Sequence, residues 1–504
     1  MLIFEKTILA PLAILLFGIY LRLRGVVSGT FGFTHDQGRD LLAAWSISHG
    51  DPTLIGPTTG LAGVFHGPLW YWLLAIFSFL GDGNPKFILG AVVFLYGAVE
   101  FWLFWVIKKF YGMVPAFLVL VIISFSPFFI ATGGQLWSPN MVTLSTMVAA
   151  IALVGIANGK GWFWLLGLAL GANIQFEAAG GVFLLISLVL ALTLVKPPNV
   201  RVRDWIIFAA SLFVTFIPQI LFEAKNGFLM SKHVLSYLGE RREDFIADYG
   251  IKTVEYKTGL FFDNFNKLFF GENVVLNLLF IFLMSVLFIK IFISGAGKVE
   301  VAARKKLILI WSAIVIFLMW VTVNLYTDVV WHHFLEGISI FFIIIIALML
   351  FIFSRYLTKI TFILIFLIFL GFLIPVANDL KAGVDFVGNH SVYRNQLKII
   401  DEIYNDAGGA SFNVVVYEPT TYAYTYQYLL SWYGKKRHGE EPVSNDYPQR
   451  LVYYIIEPDD IEGRRDKWIR ERDGEGEIIW EKEFFREEKK NLGLVLQKRI
   501  RRNI

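Results

Sequence analysis

Cysteine is absent from the 504 residues. That excludes disulfides and thiolate metal sites, while a chain without disulfides can still work outside the cell. Charge is scarce as well: Asp, Glu, Lys and Arg make up 17% of the chain, against about a quarter in an ordinary soluble domain. No glycine-rich phosphate loop is present, so a nucleotide site is unsupported, and no internal repeat is visible. The net charge of +4 gives no reason to invoke nucleic acid.

What is abundant is apolar and aromatic. Hydrophobic residues form 56% of the chain, with 48 Phe and 15 Trp. No soluble core needs so much apolar surface, whereas lipid-facing helices and interfacial aromatic belts do. Apolar runs near the roughly 20 residues that cross a bilayer predict about eleven transmembrane helices. They fall at 7–26, 86–107, 113–131, 139–157, 162–177, 179–195, 205–222, 274–293, 307–325, 334–354 and 358–376. The fifth and sixth are short and meet at Asn173-Ile174-Gln175-Phe176-Glu177, which suggests a hairpin that turns before fully crossing. A signal peptide is the weaker reading of the first run, because Arg22 and Arg24 lie at its far end and no small-residue cleavage site follows.

Cationic residues in short loops are retained on the cytoplasmic side, and alternate loops sort accordingly. Lys108 and Lys109, Lys160, the group Lys196, Arg201 and Arg203, the group Lys298, Arg304, Lys305 and Lys306, and Arg355 and Lys359 form one set. The short loops near 132–138, 173–178 and 326–333 hold none. The expectation is a multi-pass cell-membrane protein with its N-terminus cytoplasmic and three segments outside: 27–85, 223–273 and the tail from 377. Arg22, Arg24 and Arg39 run against the rule, which suggests that they contact something anionic. Glu100, in the inner half of the second run, has no evident partner.

From Pro375 and Asn378-Asp379, which are expected to end the last helix, charge becomes frequent. Strand-like runs appear at Phe412–Tyr417 and Leu451–Ile456, with helical patterns at about 391–406, 420–433 and 460–472 and further strands near 477–484 and 492–499. This alternation predicts a small extracytoplasmic α/β domain over 377–504, after an all-α membrane bundle over 1–376. The basic end (Lys498, Arg499, Arg501, Arg502) is read as a solvated face.

Candidate chemistry concentrates in the first external segment. Phe33-Thr34-His35-Asp36-Gln37-Gly38-Arg39-Asp40 opens an amphipathic stretch that stops at Gly50-Asp51-Pro52, as expected of a short helix at the membrane surface. Asp36 is expected at its N-cap, with residues 36, 39 and 40 on one face. An ordinary interfacial ion pair between Arg39 and Asp40 accounts equally well for the local pattern. Gly and Pro stiffen the loop from Gly56 to Pro68, and the run 69–80 is too short to cross. His66 by itself reads more readily as a structural residue than as a ligand. Glu177 and Glu336 fall on the expected external side, where ionisable residues at membrane depth are costly and often functional. Partners for buried cations are an equal reading. Of the adjacent His332 and His333, at most one is expected to face a common ligand.

These residues together resemble the GT-C glycosyltransferases, and within them the protein O-mannosyltransferases, bacterial aminoarabinose transferases and related bacterial enzymes of families 39 and 83. Asp36 stands where those families place a catalytic aspartate. His66-Gly67-Pro68-Leu69-Trp70-Tyr71-Trp72 resembles their Lys-Pro-Pro-Leu-Tyr-Tyr-Trp motif, with His66 in place of lysine and Gly67 in place of the first proline. Gln135-Leu136-Trp137-Ser138-Pro139-Asn140 and the segment 326–334 are similar to two later signatures. The likeness spans roughly residues 7–355. It implies transfer of a sugar from a polyprenyl-phosphate donor to a hydroxyl of a protein, lipid or glycan acceptor at the outer face, with inversion and Asp36 as general base. The donor phosphate would be held by Arg39, His66 or His332; His35, Asp40, Glu177, His333 and Glu336 are further active-site candidates. Gln37 replaces the glutamate that follows the aspartate in mannosyltransferases, and no second external acid lies between Gly133 and Asn140. These departures weigh against a two-carboxylate metal site, a divalent metal stays an open alternative, and the sequence requires no cofactor. A transporter or flippase of a lipid-linked saccharide is the competing reading; its signature, paired broken helices in repeated halves, is not seen in the sequence.

Overall fold

A computed structural model of the chain describes residues 2–239, 251–270, 273–293, 303–326, 328–354, 358–385, 388–420, 422–472, 474–487 and 492–501. Lys298, Arg355 and Arg502, part of the 223–273 segment, and Thr327 of the 326–334 signature lie outside the described residues. The chain forms two compact units, one of residues 1–23, 53–70 and 91–381, the other of residues 24–52, 71–90 and 382–504.

The first unit is helical. Four of its described helices are long and apolar enough to cross a membrane: Ile8–Ser28, Pro85–Tyr111, Ser138–Ala157 and Arg304–Leu325, the first two running on into the other unit. Two bent pairs raise the number to six, Met113–Phe125 with Pro127–Gly133 at 63° and Val202–Val214 with Ile217–Lys225 at 52°. The expected single span at 113–131 is therefore broken. Pro127 is the cause, since it has no N–H for the carbonyl of Ile123 one turn back. The expected hairpin is present as Phe163–Phe176 and Ala178–Leu194, joined at Glu177. The last helix does not end at Pro375 as the sequence suggested; Thr358–Asp385 is continuous with Pro375 inside it.

Arg22, on helix α1 (Leu2–Ser28), supplies what Pro127 lacks. Its guanidinium donates to Ile123 O at 3.2 Å and Phe129 O at 3.0 Å, and it pairs with Glu100 at 2.6 and 3.2 Å. Both side chains are fully buried. This is the anion that the misplaced cation implied, and the partner that Glu100 lacked in the sequence. A buried charge is tolerable when it is paired and its remaining donors are bonded.

The second unit is built on a four-stranded sheet in the order β1-β2-β4-β3, with β1 (Phe412–Tyr417) parallel to β2 (Leu451–Ile456). β3 (Glu477–Glu487) and β4 (Leu492–Ile500) are antiparallel to their neighbours. The near-continuous apolar runs of β1 and β2 match strands buried on both faces. Helices Tyr393–Ala407, Tyr424–Leu429 and Arg464–Arg470 fall where helical patterns stood, the second continuing through a π-turn to His438. The stretch from Gly29 to Phe33 belongs to this unit. Gly32 bridges Val392, Phe33 N donates to Ser391 O at 2.8 Å and Gln396 Nε2 to Phe33 O at 2.6 Å, while Phe31 stacks on Tyr393 at 4.8 Å. The stretch before the next helix is thus tied to the α/β unit, and that helix starts from a fixed anchor.

Candidate functional site

Helix α2 (His35–Ser48) is N-capped by Thr34, two residues earlier than the sequence suggested for Asp36. Gln37 explains the shift: its Oε1 accepts from Thr34 N at 2.8 Å and from the Thr34 hydroxyl at 2.6 Å, as the N3 residue of a capping box does. Gln37, the departure from the mannosyltransferase pattern, is thus a buried capping residue. Asp36 is released from capping and stands in the first turn, its side chain 39% exposed.

Residues 36, 39 and 40 do share a face. Arg39 donates Nη1 to Asp36 Oδ1 at 3.0 Å, and Nε and Nη2 to Asp40 Oδ1 at 2.9 and 2.8 Å. Asp40 is buried and Arg39 nearly so, whereas Asp36 is open to water. Tyr71, on helix α3 (Leu69–Gly81), completes the group, its hydroxyl hydrogen-bonded to both Arg39 and Asp40. Burial, then the Asp40 charge, raises the Tyr71 phenol, so it stays neutral and can accept from Arg39 while donating to Asp40. Burial alone would lower the Arg39 guanidinium, but Asp40, Tyr71 and Asp36 raise it further, so it is a permanent cation. The arrangement amounts to one accessible carboxylate held by a part-buried, fixed positive charge. Tyr71 was not singled out from sequence; its only signal was its place in the aromatic motif.

Gly38 explains how α2 is seated. A Cβ there would lie 2.4 Å from the backbone of Tyr424, so the helix of residues 424–429 packs against bare backbone. His35, the first residue of α2, reaches Tyr422 O at 3.0 Å and Thr420 Oγ1 at 3.1 Å.

The helical unit has a polar cluster of its own. His66 is fixed by main-chain bonds, its N to Pro57 O and Gly56 N to its O, both 2.8 Å. Glu177 is buried at the break between Phe163–Phe176 and Ala178–Leu194, its carboxylate 4.0 Å from His66 Nε2 and 3.6 Å from His333 Nε2. Trp137 meets His333 edge-on at 5.0 Å, so the 135–140 and 326–334 signatures come together. Gly67 lies against Gln175, whose Oε1 would be 1.6 Å from a Cβ at this position; Gln175 in turn donates to Gln219 at 2.6 Å. Glu336 is buried, one oxygen without a hydrogen-bond partner among the described residues, and within electrostatic reach of Glu177 and Lys267. No such contact with Glu177 is seen for His332 among the described residues. Its carbonyl accepts from Asn264, and burial followed by Lys267 lowers its pKa, which disfavours the cation. One of the adjacent histidines joins the cluster, in keeping with the angle between neighbours on a helical turn. Among the described residues no group of three His, Cys, Asp or Glu has metal-holding geometry.

The fold of this chain is that of the GT-C membrane glycosyltransferases. It is similar to ArnT from Cupriavidus metallidurans in the apo state, with TM-score 0.58 and 11% identity over 98% of each chain. It is likewise similar to the same protein bound to undecaprenyl phosphate, with TM-score 0.55 and 11% identity over 97% of each chain. An oligosaccharyltransferase, AglB of Archaeoglobus fulgidus, in complex with an inhibitory peptide and a dolichol-phosphate, aligns at TM-score 0.45 and 11% identity, over 90% of this chain and 70% of that one. No protein-family model and no curated protein matches the sequence.

Proposed function

We propose that this protein transfers a sugar from a polyprenyl-phosphate donor to an acceptor hydroxyl at the extracytoplasmic face of the membrane, with inversion and with Asp36 as general base. The observation that carries this reading is the accessible Asp36 carboxylate at 3.0 Å from the part-buried Arg39, on a fold shared with a protein solved with undecaprenyl phosphate. The acceptor oxygen attacks the anomeric carbon as the carbon–oxygen bond to phosphate breaks. Asp36 takes the hydroxyl proton, and the polyprenyl phosphate leaves with the bonding pair. A phosphate leaving group needs little protonation, so one carboxylate suffices. No step draws on a metal. In the helical unit, His66 and His333 around Glu177 are the imidazoles we assign to an anionic group.

Eleven spans are consistent with the four long helices, the two bent pairs and the shorter apolar helices Phe163–Phe176, Ala178–Leu194, Val275–Val286, Ile338–Ile352 and Ile363–Asn378. The N-terminus is then cytoplasmic and the tail external. Single cysteines introduced at position 36 and in the tail should react with an impermeant thiol reagent on intact cells, and reaction only after lysis would reverse the orientation.

Purified protein with polyprenyl-phosphate sugars and candidate acceptors tests the reaction itself. Turnover is expected, whereas vesicle uptake without transfer would favour the transporter. Arg39→Ala should weaken donor binding by about 1 to 3 kcal/mol, the range for a lost charge-assisted bond. Arg39→Lys should recover only part, since an ammonium lacks the planar fork. A fall in kcat at unchanged donor affinity would limit Arg39 to holding Asp36 and remove it from the phosphate.

A further inference from the structure

A second set of buried ionisable groups lies in the α/β unit, at the C-terminal ends of the two parallel strands. The register pairs Tyr417 with Ile456, and Glu457 N continues the ladder to Tyr417 O at 3.1 Å. Glu418 and Glu457, the next residue of each strand, are therefore neighbours, 5% and 8% exposed. An imidazole faces each: His35 Nδ1 is 4.0 Å from Glu418, and His390 Nε2 is 3.9 Å from Glu457. Tyr426 is wholly buried beside both carboxylates, and its hydroxyl has no hydrogen-bond partner among the described residues. The turn that follows Glu418 carries Thr420 Oγ1 and Tyr422 O, the two groups within hydrogen-bond reach of His35 Nδ1, and leads into Tyr424 and Thr425, against which Gly38 packs. The acid pair, Thr420, Tyr422 and the first turn of α2 thus lie along one path.

We propose that Glu418 and Glu457 are positioning residues, a buried acid pair that acts through His35 and the turn after β1 to set the alignment of the helix carrying Asp36, and that does so only while the pair holds a proton. The inference rests on the reading of Asp36 as the base. The titratable groups facing Glu418 are His35 from α2, Glu457 beyond β2 and Tyr426 from the 424–429 helix; Glu457 faces Glu418, Tyr426 and His390. Burial is the largest influence on both carboxyls and raises both, and the Glu418 charge raises Glu457 further. The Thr425 and Thr420 hydroxyls and the Tyr426 N–H pull Glu418 partly back. A carboxyl whose pKa is raised on folding binds more protons folded than unfolded, so its contribution is present on the acid side and is lost as pH rises through the raised value. Complete ionisation would leave two buried negative charges side by side.

The test is hydrogen–deuterium exchange of the full-length protein in detergent without donor, corrected for intrinsic exchange, following peptides that cover 35–48 with peptides from 138–157 as control. In the wild type, protection of 35–48 should fall about tenfold between about pH 6 and pH 9 while the control is steady. Glu418→Gln keeps the shape and removes the titration, so the fall should flatten; Glu457→Gln should do the same, and it substitutes if the first variant loses protection throughout. Transfer by Glu418→Gln should lose the alkaline fall in kcat with donor KM changed by less than about twofold. A wild-type 35–48 segment with no pH-dependent protection, or variants that follow the wild-type curve, overturns the proposal whether or not the enzyme turns over. Absence of transfer by the wild type with every polyprenyl-phosphate sugar instead sinks the reading of Asp36 and leaves the exchange result standing.

Discussion

Replacing Asp36 by Asn is expected to lower sugar transfer by about 100-fold or more, the loss typical when a positioned general base is removed. Expression and donor affinity should be nearly preserved. Thr34 and Gln37 cap the helix, so neither Asn nor Leu at position 36 disturbs its start, and what the Asn variant lacks is the proton acceptor and its charge pair with Arg39. That pair is partly exposed on the Asp36 side, and such pairs contribute about 0 to 1 kcal/mol. A purely structural Asp36 therefore predicts a small drop in melting temperature with activity intact. Transfer rate and thermal stability, measured side by side for Asp36→Asn and Asp36→Leu, separate the two readings. Full activity in the Asn variant would remove Asp36 from the chemistry.

The largest effect on stability is expected inside the helical unit. Glu100→Gln leaves the Arg22 guanidinium buried without its counter-charge, and Arg22→Met leaves a buried carboxylate and strips the carbonyl of Ile123 of its donor. Breaking a buried pair by removing one partner costs about 3 to 5 kcal/mol. Each single variant should lower the melting temperature in detergent markedly, and the double variant Arg22→Met with Glu100→Met should recover much of the loss because no charge is left behind. Single variants as stable as the wild type would mean that the pair is hydrated and contributes little.

Much of the architecture was legible residue by residue. The strands Phe412–Tyr417 and Leu451–Ile456 lie where the apolar runs stood, because a strand buried on both faces has to be apolar throughout. The hairpin that turns at Glu177 was legible because helix length and a polar interruption are properties of consecutive residues. The position of α2 could be read, but its cap could not, since both Thr34 and Asp36 are acceptable caps and the choice depended on Gln37 turning back to Thr34. The end proposed at Pro375 failed for the opposite reason. One proline is tolerated inside a long apolar helix when the freed carbonyl is accommodated, and nothing in the local sequence reports that.

The sequence by itself determined that the chain is a membrane protein with an α/β tail; this follows from composition, run length and spacing. Only the tertiary structure decided that Arg22 belongs to Glu100, that Arg39 is clamped between Asp36, Asp40 and Tyr71, that His333 rather than His332 turns to Glu177, and that Glu418 reaches His35 across 383 positions of sequence. Pairings of this kind come from distant segments brought within a few ångströms. Coulomb and hydrogen-bond energies depend on that separation in space and on burial, and neither quantity is written in the order of residues along the chain.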